Sequence, residues 1–429
     1  MNFSQNQIVF AGAAIAVLLV FSILVFFNLR PSQIASIQLS LWGFEREDAI
    51  TPLLSGYSKL YPDVKVSYKE VSKDNYENTL LGALASGQGP DIFPVHNRSL
   101  SKNAGVISPV QPSRFGVSQI QNLFPKEVGD DFVLGATNSS AGQVYALPLY
   151  FDTLSLIYNK DLFDQAGIAN PPATWDEFQA DVAKIKMISP NGQIIRAGAA
   201  IGGSRKTVTN AVDILNVLML QNGVAMTFGQ SYASFASDAG AGAFNFYLRF
   251  ADSGSNYYTW NESQPNDFNS FSAGNAAMVI GYNSDIQKIR AKSPFLRVGV
   301  APLPQINPSN AVNYADYWGL AVSKQSKNQD SAFDFMLFMT TNPQAAGQYS
   351  EASGNPPALR ELISQKINDP VFGVFARQAL TARSWYETDK NRIDVIFGNA
   401  IVNALGGSAD AKKILVQAQD QITQLMQTK

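Results

Sequence analysis

The chain has 429 residues, of which 46% are hydrophobic and 15% charged, and its formal net charge is -2. That length suits two lobes of roughly 150–200 residues each, and a near-neutral chain without a basic stripe argues against nucleic-acid binding. Cysteine is absent, which excludes disulfides, thiolate metal sites, cysteine nucleophiles and a lipidated N-terminal cysteine. With a single histidine and no G-x-S-x-G motif, we expect His96 to be structural or to contact a ligand, and we expect no catalytic residue.

The first predicted element is a transmembrane helix over residues 8–27. These twenty residues carry no charge, and at about 1.5 Å per residue the helix would cross a hydrocarbon core of roughly 30 Å. A cleaved signal peptide has a charged start, a shorter apolar run and a small-residue exit. Here the start, MNFSQNQ, has no Lys or Arg, and the run ends in Phe26-Phe27-Asn28. We therefore favour an uncleaved signal anchor, followed by a short stem over residues 28–35.

Strand and helix patterns alternate directly after the stem. Short apolar runs predict strands over residues 36–42, 64–68 and 91–95. Helices are predicted between them, from the GFERED segment to about residue 60 and over residues 76–85. This order is typical of βαβ units with a parallel sheet.

A capping signal marks the next helix. Thr174 is a predicted N-cap, and Glu177 stands three residues later, the spacing of a capping box. Strands are predicted on either side of this region and later in the chain, over residues 144–149, 153–158, 276–280, 298–302 and 320–323. The remaining predicted helices cover residues 211–222, 239–252, 330–340, 343–350, 394–405 and about 409–426.

Six segments, in this order along the chain, carry a resemblance to a known family. They are SLWGFERE, ALASGQGPDIF, YALPLYFDTLSLIYNKDLFDQAGIANPPATWDEF, FSAGNAAMVIGYNSDI, YWGLAVSKQSKNQDSAFDFMLFM and YSEASGNPPALREL. Their order and spacing over residues 36–429 resemble the extracellular solute-binding proteins of ABC importers, the sugar-binding (maltose/oligosaccharide-binding protein-like) family. Two features depart from that family: the lipidated cysteine is missing, and Asn275 replaces the lysine of the Gly-Lys-Ala-Ala-Met motif.

The resemblance implies an α/β, two-lobed periplasmic-binding-protein-like fold with a central mixed sheet in each lobe and a three-segment hinge. On that basis we predict lobe 1 over residues 36–150 and 305–340, and lobe 2 over residues 151–304 and 341–429. The hinge would pass through residues 151–154, 302–304 and 340–343. One N-terminal transmembrane helix would precede these lobes.

The resemblance also implies a function. The protein would be a single-pass protein of the cell membrane, with its globular part on the extracytoplasmic side. It would capture a sugar or oligosaccharide in the cleft between the lobes by hinge closure and deliver it to ABC permease subunits. It would be monomeric and would need no cofactor and no metal.

Candidate ligand-binding residues follow from where strands end. In open α/β sheets the cleft lies beyond the carboxyl ends of the strands, and sugars need aromatic faces together with carboxylates or amides. The resemblance further places Asp152 where the family has a polar ligand contact on the crossing strand. The candidates are Trp42, Glu45, Arg46, His96, Asn97, Asp152, Trp260, Asn283, Trp318, Asn355, Trp385 and Tyr386.

Each candidate also has a structural interpretation. The four tryptophans are equally suited to a buried core or interface. Glu45 and Arg46 suit the start of a solvated helix, Asp152 a hinge residue that caps a turn, and Asn283 a simple turn.

Other functions fit the same sequence. A receptor of this fold for a polyamine would use Glu45, Asp152 and Asp285, and one for ferric ion would use the pair Tyr257-Tyr258. A membrane-anchored sensory receptor is a further alternative. A glycoside-active enzyme is the least favoured, since it needs two carboxylates about 5–10 Å apart and no hydrolytic motif is present.

Overall fold

The computed structural model describes residues 36–137, 140–407 and 410–428. The predicted anchor of residues 8–27 and the stem of residues 28–35 lie outside these ranges. Within them, no helix combines the length and the hydrophobicity that crossing a bilayer requires.

The described chain contains short strands and mostly amphipathic helices. The strands are β1 (Ile37–Gly43), β2 (Val64–Glu70), β3 (Ile92–His96), β4 (Ile107–Ser108), β5 (Val133–Thr137), β6 (Ser140–Val144), β7 (Leu147–Pro148), β8 (Ser155–Asn159), β9 (Met187–Ile188), β10 (Ile194–Arg196), β11 (Thr227–Phe228), β12 (Tyr232–Ala233), β13 (Met278–Gly281), β14 (Val298–Pro302), β15 (Asn313–Tyr314), β16 (Trp318–Ser323) and β17 (Ala382–Arg383).

The α-helices are α1 (Glu47–Leu60), α2 (Tyr76–Ala85), α3 (Leu100–Asn103), α4 (Val117–Leu123), α5 (Lys126–Phe132), α6 (Lys160–Gln165), α7 (Trp175–Ile185), α8 (Ala211–Gln221), α9 (Asp238–Leu248), α10 (Asp267–Ser272), α11 (Asn283–Lys292), α12 (Gln329–Thr341), α13 (Pro343–Ser353), α14 (Arg360–Lys366), α15 (Gly373–Ala379), α16 (Lys390–Leu405) and α17 (Ala411–Gln427).

Lobe 1 is built on a mixed sheet of order β2-β1-β3-β16-β4, in which β7 also pairs with β16. β1 runs parallel to β2 and β3, whereas β16 runs antiparallel to β3. Every residue of β3 is buried, as expected for a central strand that helices cover on both faces. The predicted mixed sheet and its βαβ start are therefore present in this lobe.

Lobe 2 has a smaller central sheet than the prediction implies. Its order is β13-β8-β14, and both pairings are antiparallel. Parallel pairing beside this sheet takes the form of isolated bridges of Ala197 with Ala276 and of Thr174 with Gln305. The expected mixed sheet is thus reduced to a three-stranded antiparallel sheet accompanied by two parallel bridges.

The lobe boundaries differ from the predicted ones after residue 304. Residues 305–314 stay with lobe 2, because Gln305 pairs with Thr174 and the Gln221 amide donates to the carbonyls of Pro304 and Val312, at 3.1 and 3.0 Å. Tyr314 packs in the hydrophobic core of lobe 2, whereas Ala315 packs in the hydrophobic core of lobe 1.

Helices α13 and α14, whose residues were predicted in lobe 2, pack in the core of lobe 1, and α15 contacts both cores, with Ala376 and Ala379 in that of lobe 1 and Phe375 in that of lobe 2. Only Asn342 separates α12 from α13, and it caps the second helix by accepting from the Ala345 N–H. The chain therefore turns back onto the same lobe, where Tyr349 is fully buried. Residues from Trp385 onward return to the core of lobe 2.

The chain thus crosses between the two cores near residues 151–154, 314–315 and 382–385. Only the first crossing lies where it was predicted. The three crossings run side by side: Thr153 forms a bridge with Ala315, and β15 pairs in parallel with β17.

Candidate functional site

A cleft between the lobes forms the candidate site, and it has two parts. The first half-cleft has a volume of about 530 Å³, and the second about 440 Å³. Lys73 and Asp316 line both halves and therefore mark the waist between them.

The first half-cleft lies between the end of β1 and the start of α11. Glu45 is held on the lobe 1 side, because the Tyr349 hydroxyl donates to its carboxylate at 2.5 Å and the Tyr68 hydroxyl to its carbonyl at 2.6 Å. Tyr282, directly after β13, forms part of the lobe 2 wall. The other lining residues include Phe44, Arg46, Tyr150, Asp152, Ser284, Gln287, Ser353 and Asn355.

Asp152 lies on the first crossing and caps helix α11. Both of its oxygens accept from the Asn283 N–H, at 3.2 and 3.0 Å, and one accepts from the Thr153 N–H at 2.8 Å. Burial raises the pKa of Asp152 to about 8, although these N–H donors oppose the shift. The hydrogen bonds are those of a residue that caps a turn, even though the side chain lines the first half-cleft.

The second half-cleft lies beyond the end of β3 and the start of β16, which run antiparallel. His96 donates from Nε2 to Asp316 at 3.0 Å, because its Nδ1 accepts from the Arg98 N–H at 3.1 Å. Burial lowers the pKa of His96 to about 4, against the opposing effect of Asp316, so the ring is neutral at neutral pH. The other lining residues include Asn75, Tyr76, Glu77, Asn78, Ser99, Lys102, Trp318, Lys390 and Asn391.

Aromatic rings meet at the lobe 1 wall of the cleft. Trp318 packs edge-to-face against Phe44 and His96, with ring centroids 4.7 and 4.9 Å apart. Tyr76 packs in the same way against Trp318, at 5.6 Å. Because these rings support one another, Phe44 and Trp318 are held in place as apolar surfaces within a polar cleft.

A buried arginine organises the charges behind the waist. Arg98 has no exposed side-chain surface, and its guanidinium donates to Asp316 at 2.8 Å and to Asp213 and Glu387 at 3.1 Å each. The Tyr314 hydroxyl lies 2.9 Å from the same group. A buried charge needs such partners. Through them, Arg98 of lobe 1 contacts both lobe 2 and two of the crossing segments.

Six of the predicted site residues line the cleft. Glu45, Arg46, Asp152 and Asn355 line the first half, and His96 and Trp318 the second. Asn283 lies at the rim, where its side-chain amide donates to the Gly354 carbonyl at 2.7 Å.

The structure places the other predicted residues away from the cleft. Trp42 is buried in the core of lobe 1 beneath Lys69, and Trp260 is fully buried in the core of lobe 2. Both tryptophans stand beside polar turns in the sequence, but neither indole reaches the cleft. Three further residues, Asn97, Trp385 and Tyr386, line a third cavity of about 310 Å³ beside the crossings.

The sequence did not predict the waist residues Lys73 and Asp316, nor Tyr282 and Phe44. Tyr282 directly follows β13, so the rule of carboxyl strand ends could have found it. Asp316 precedes β16, whose start lies beside the end of β3 only because the two strands are antiparallel. Lys73 stands in the loop between β2 and α2, and no pattern around it signals a site. Phe44 was not predicted as a ligand-binding residue, although Trp42 and Glu45 beside it were.

Comparison with known proteins places this architecture in context. A protein of Brucella abortus (strain 2308), named as a binding protein without a stated ligand, is 26% identical over 286 residues; the match spans 65% of this chain and 66% of that protein, just under two thirds of its length. The maltotriose-binding protein of Pyrococcus abyssi is 24% identical over 400 residues, 87% of this chain and 79% of that protein.

A solved structure shares the fold. The cyclic α-maltosyl-1,6-maltose binding protein of Arthrobacter globiformis superposes with a TM-score of 0.74 at 19% identity, over 92% of this chain and 100% of that chain. A sequence model described as bacterial extracellular solute-binding protein matches residues 44–346. Because that match covers more than half of the chain, the chain belongs to the family of bacterial extracellular solute-binding proteins.

Proposed function

We propose that the protein is an extracytoplasmic receptor that captures a sugar or oligosaccharide in the cleft and delivers it to an ABC-type permease. The observation that carries this proposal is the cleft itself, in which Phe44 and Trp318 stand beside carboxylates and amides. Aromatic rings suit the C–H faces of sugars, and carboxylates and amides suit their hydroxyls. The family and the sugar-binding relatives support the same substrate class.

The charges of the cleft favour a neutral ligand over the two cationic alternatives. The lining carries Arg46, Lys73, Lys102 and Lys390 beside Glu45, Glu77 and Asp316, so a polyamine would be repelled by at least as many groups as attract it. A ferric site at Tyr257 and Tyr258 would lie outside both half-clefts, since neither tyrosine lines them.

Capture would use the side-by-side crossings as a hinge. A ligand that touches both lobes binds the closed form better than the open form and therefore shifts the population towards it. The rims are built for this closure: the Gly354 carbonyl of lobe 1 accepts from Gln287 of lobe 2 at 2.9 Å, and Asn391 of lobe 2 donates to Glu77 of lobe 1 at 3.0 Å.

Residues 8–27 would hold this receptor at the membrane as a single-pass anchor, with the lobes outside. The uncharged run and the extracellular character of the family support this arrangement. We expect the full chain to remain in the membrane fraction after alkaline carbonate extraction, and a chain without residues 1–31 to be released. Release of the full chain would contradict the anchor.

A thermal-shift screen of the full-length protein tests the ligand class. The probes are neutral oligosaccharides, spermidine and ferric citrate, since a ligand that binds only the folded state raises its stability by mass action. We expect a shift with an oligosaccharide that Trp318→Ala abolishes. Trp260→Phe is the matched control, which should lower the melting temperature but keep the shift. A shift with spermidine or iron alone would contradict the proposal.

A further inference from the structure

On the basis of the proposed function, we infer that Asp316 is the fixed acceptor at the waist of the cleft and that, with Lys73, it selects neutral saccharides of at least two rings. Neither residue was recognised from sequence motifs. Asp316 and Lys73 would be the pair of residues that recognises this substrate class.

The first step is the geometry of the Asp316 carboxylate. Oδ2 accepts from Arg98 at 2.8 Å and from His96 at 3.0 Å. Among the described residues, no group donates to Oδ1, and the side chain is 23% exposed while it lines both half-clefts. One oxygen is therefore anchored and the other remains available to a ligand.

The second step is the charge of that carboxylate. Although burial opposes the shift, His96 and Arg98 hold the pKa of Asp316 well below its ordinary value. The group is thus an anion at neutral pH, and an anion accepts hydrogen bonds from hydroxyls but repels a ligand carboxylate or phosphate. A charged acceptor held in advance also reduces the cost of ordering the site on binding.

The third step is the donor that shares the waist. Lys73 is exposed on its loop, with its ammonium group 5.3 Å from the centroid of the Phe44 ring. Within the described ranges, it forms no ion pair with a carboxylate. Its three N–H donors are therefore free for ligand oxygens, whereas a cationic ligand would be repelled. Hydroxyls of a saccharide at the waist would suit both groups, because a hydroxyl can donate to Asp316 and another can accept from Lys73.

The last step is the length of the ligand. Each half-cleft has a volume within the range of roughly 300–1,000 Å³ that is usual for a small-molecule site. Each half also has its own supported ring, Phe44 in the first and Trp318 in the second. A saccharide held at the waist would place one ring in each half, which a monosaccharide is too short to do.

Isothermal titration calorimetry of the full-length protein tests the inference. The probes are maltotetraose, mannotetraose and xylotetraose, their mono- and disaccharides, and tetragalacturonate. We expect at least one neutral tetrasaccharide to bind, its disaccharide to bind more tightly than its monosaccharide, and tetragalacturonate to bind at least tenfold more weakly.

Two variants test the two residues, and Lys73→Met separates recognition from folding because Asp316, unlike Lys73, also pairs with the buried Arg98. Asp316→Asn should weaken saccharide binding about 10–100-fold, the usual effect of losing a hydrogen bond to a charged group. Lys73→Met lies on an exposed loop, where the fold does not depend on it, and should weaken binding severalfold. Asp420→Asn, which removes an exposed carboxylate from α17, is the control and should bind like the unaltered protein.

The outcomes distinguish the two proposals. If the unaltered protein binds no neutral saccharide, the proposed function fails, and this inference fails with it. If the unaltered protein binds a neutral saccharide, and the affinities of Asp316→Asn and Lys73→Met for that saccharide are within twofold of its own, only this inference is overturned. Preferential binding of tetragalacturonate would likewise overturn the selection of neutral ligands while leaving a saccharide receptor.

Discussion

Buried ionisable side chains surround the crossing segments. Glu127 and Asp131 lie one turn apart on α5, and both carboxylates contact Ser384, next to β17. Burial and the charge of Asp131 raise the pKa of Glu127 to about 8. Because burial and the repulsion between the two carboxylates outweigh the hydrogen bonds from Ser384, the folded state favours the protonated form of this pair more than the unfolded chain does.

Glu127→Gln should make the protein less sensitive to alkaline pH. The pKa of Glu127 is higher in the folded protein than in the unfolded chain. Its contribution to stability is therefore fully present below the pKa of the unfolded chain and is lost as the pH rises through about 8. The free energy of unfolding of the variant, relative to the unaltered protein, should therefore rise by about 1–3 kcal/mol from pH 5 to pH 9. Urea unfolding at the two pH values measures this difference.

Glu361→Gln is the control for that measurement, since Glu361 is exposed on α14. Its free energy of unfolding should differ from that of the unaltered protein by the same amount at both pH values. A relative stability of Glu127→Gln that stays constant or falls towards pH 9 would contradict the assignment of a raised pKa.

At the scale of helices and strands, local chemistry predicted much of the fold. The capping box of α7 is confirmed: the Thr174 hydroxyl accepts from the Glu177 N–H, and the Glu177 carboxylate accepts from the Thr174 N–H, each at 3.2 Å. Strand β14 and helix α2 have the predicted bounds. Strands β15 and β17 were missed because each has two residues and exists only through pairing with a segment almost 70 residues away.

Tryptophans show the limit of local reasoning within an element. Trp260 follows a polar loop, yet its indole is fully buried, and the absence of a side chain at Gly203 makes room for it. A Cβ atom at Gly203 would lie 2.9 Å from the indole ring. Gly203 lies 57 positions earlier in the chain, so no sequence pattern around Trp260 indicates that the core has space for its indole.

At the scale of the whole molecule, closure depends on direct contacts between the lobes at the edge of the cleft. Lys102 of lobe 1 forms an ion pair with Asp389 of lobe 2 at 3.2 Å. Asp389 also caps α16 by accepting from the Arg392 N–H at 3.2 Å. Its carboxylate lines neither half-cleft, whereas Lys102 lines the second, so Asp389 can affect ligand binding through the positions of the lobes and through Lys102.

Asp389→Ser should weaken ligand binding about two- to fivefold, although Asp389 itself lines neither half-cleft. Serine keeps the helix cap but removes a partly exposed ion pair, which is worth about 0.2–1 kcal/mol, from the closed form. Calorimetry measures the affinity, and small-angle X-ray scattering without ligand should show a larger radius of gyration. The control is Asp410→Ser, which keeps the cap of α17 and should change neither quantity. A normal affinity in Asp389→Ser would contradict this role.

The sequence by itself determined the class of the molecule. Strand and helix periodicity, capping signals and the order of six motifs predicted two α/β lobes and a family that the comparisons confirm, because these features depend on residues close together in the chain. Tertiary structure decided the rest: which lobe receives α13 and α14, where the second and third crossings run, which tryptophans are buried, and that Asp316 and Lys73 both line the waist. Those outcomes depend on packing and charge pairing between segments that are far apart in sequence, and no local pattern records which distant surface a side chain will meet.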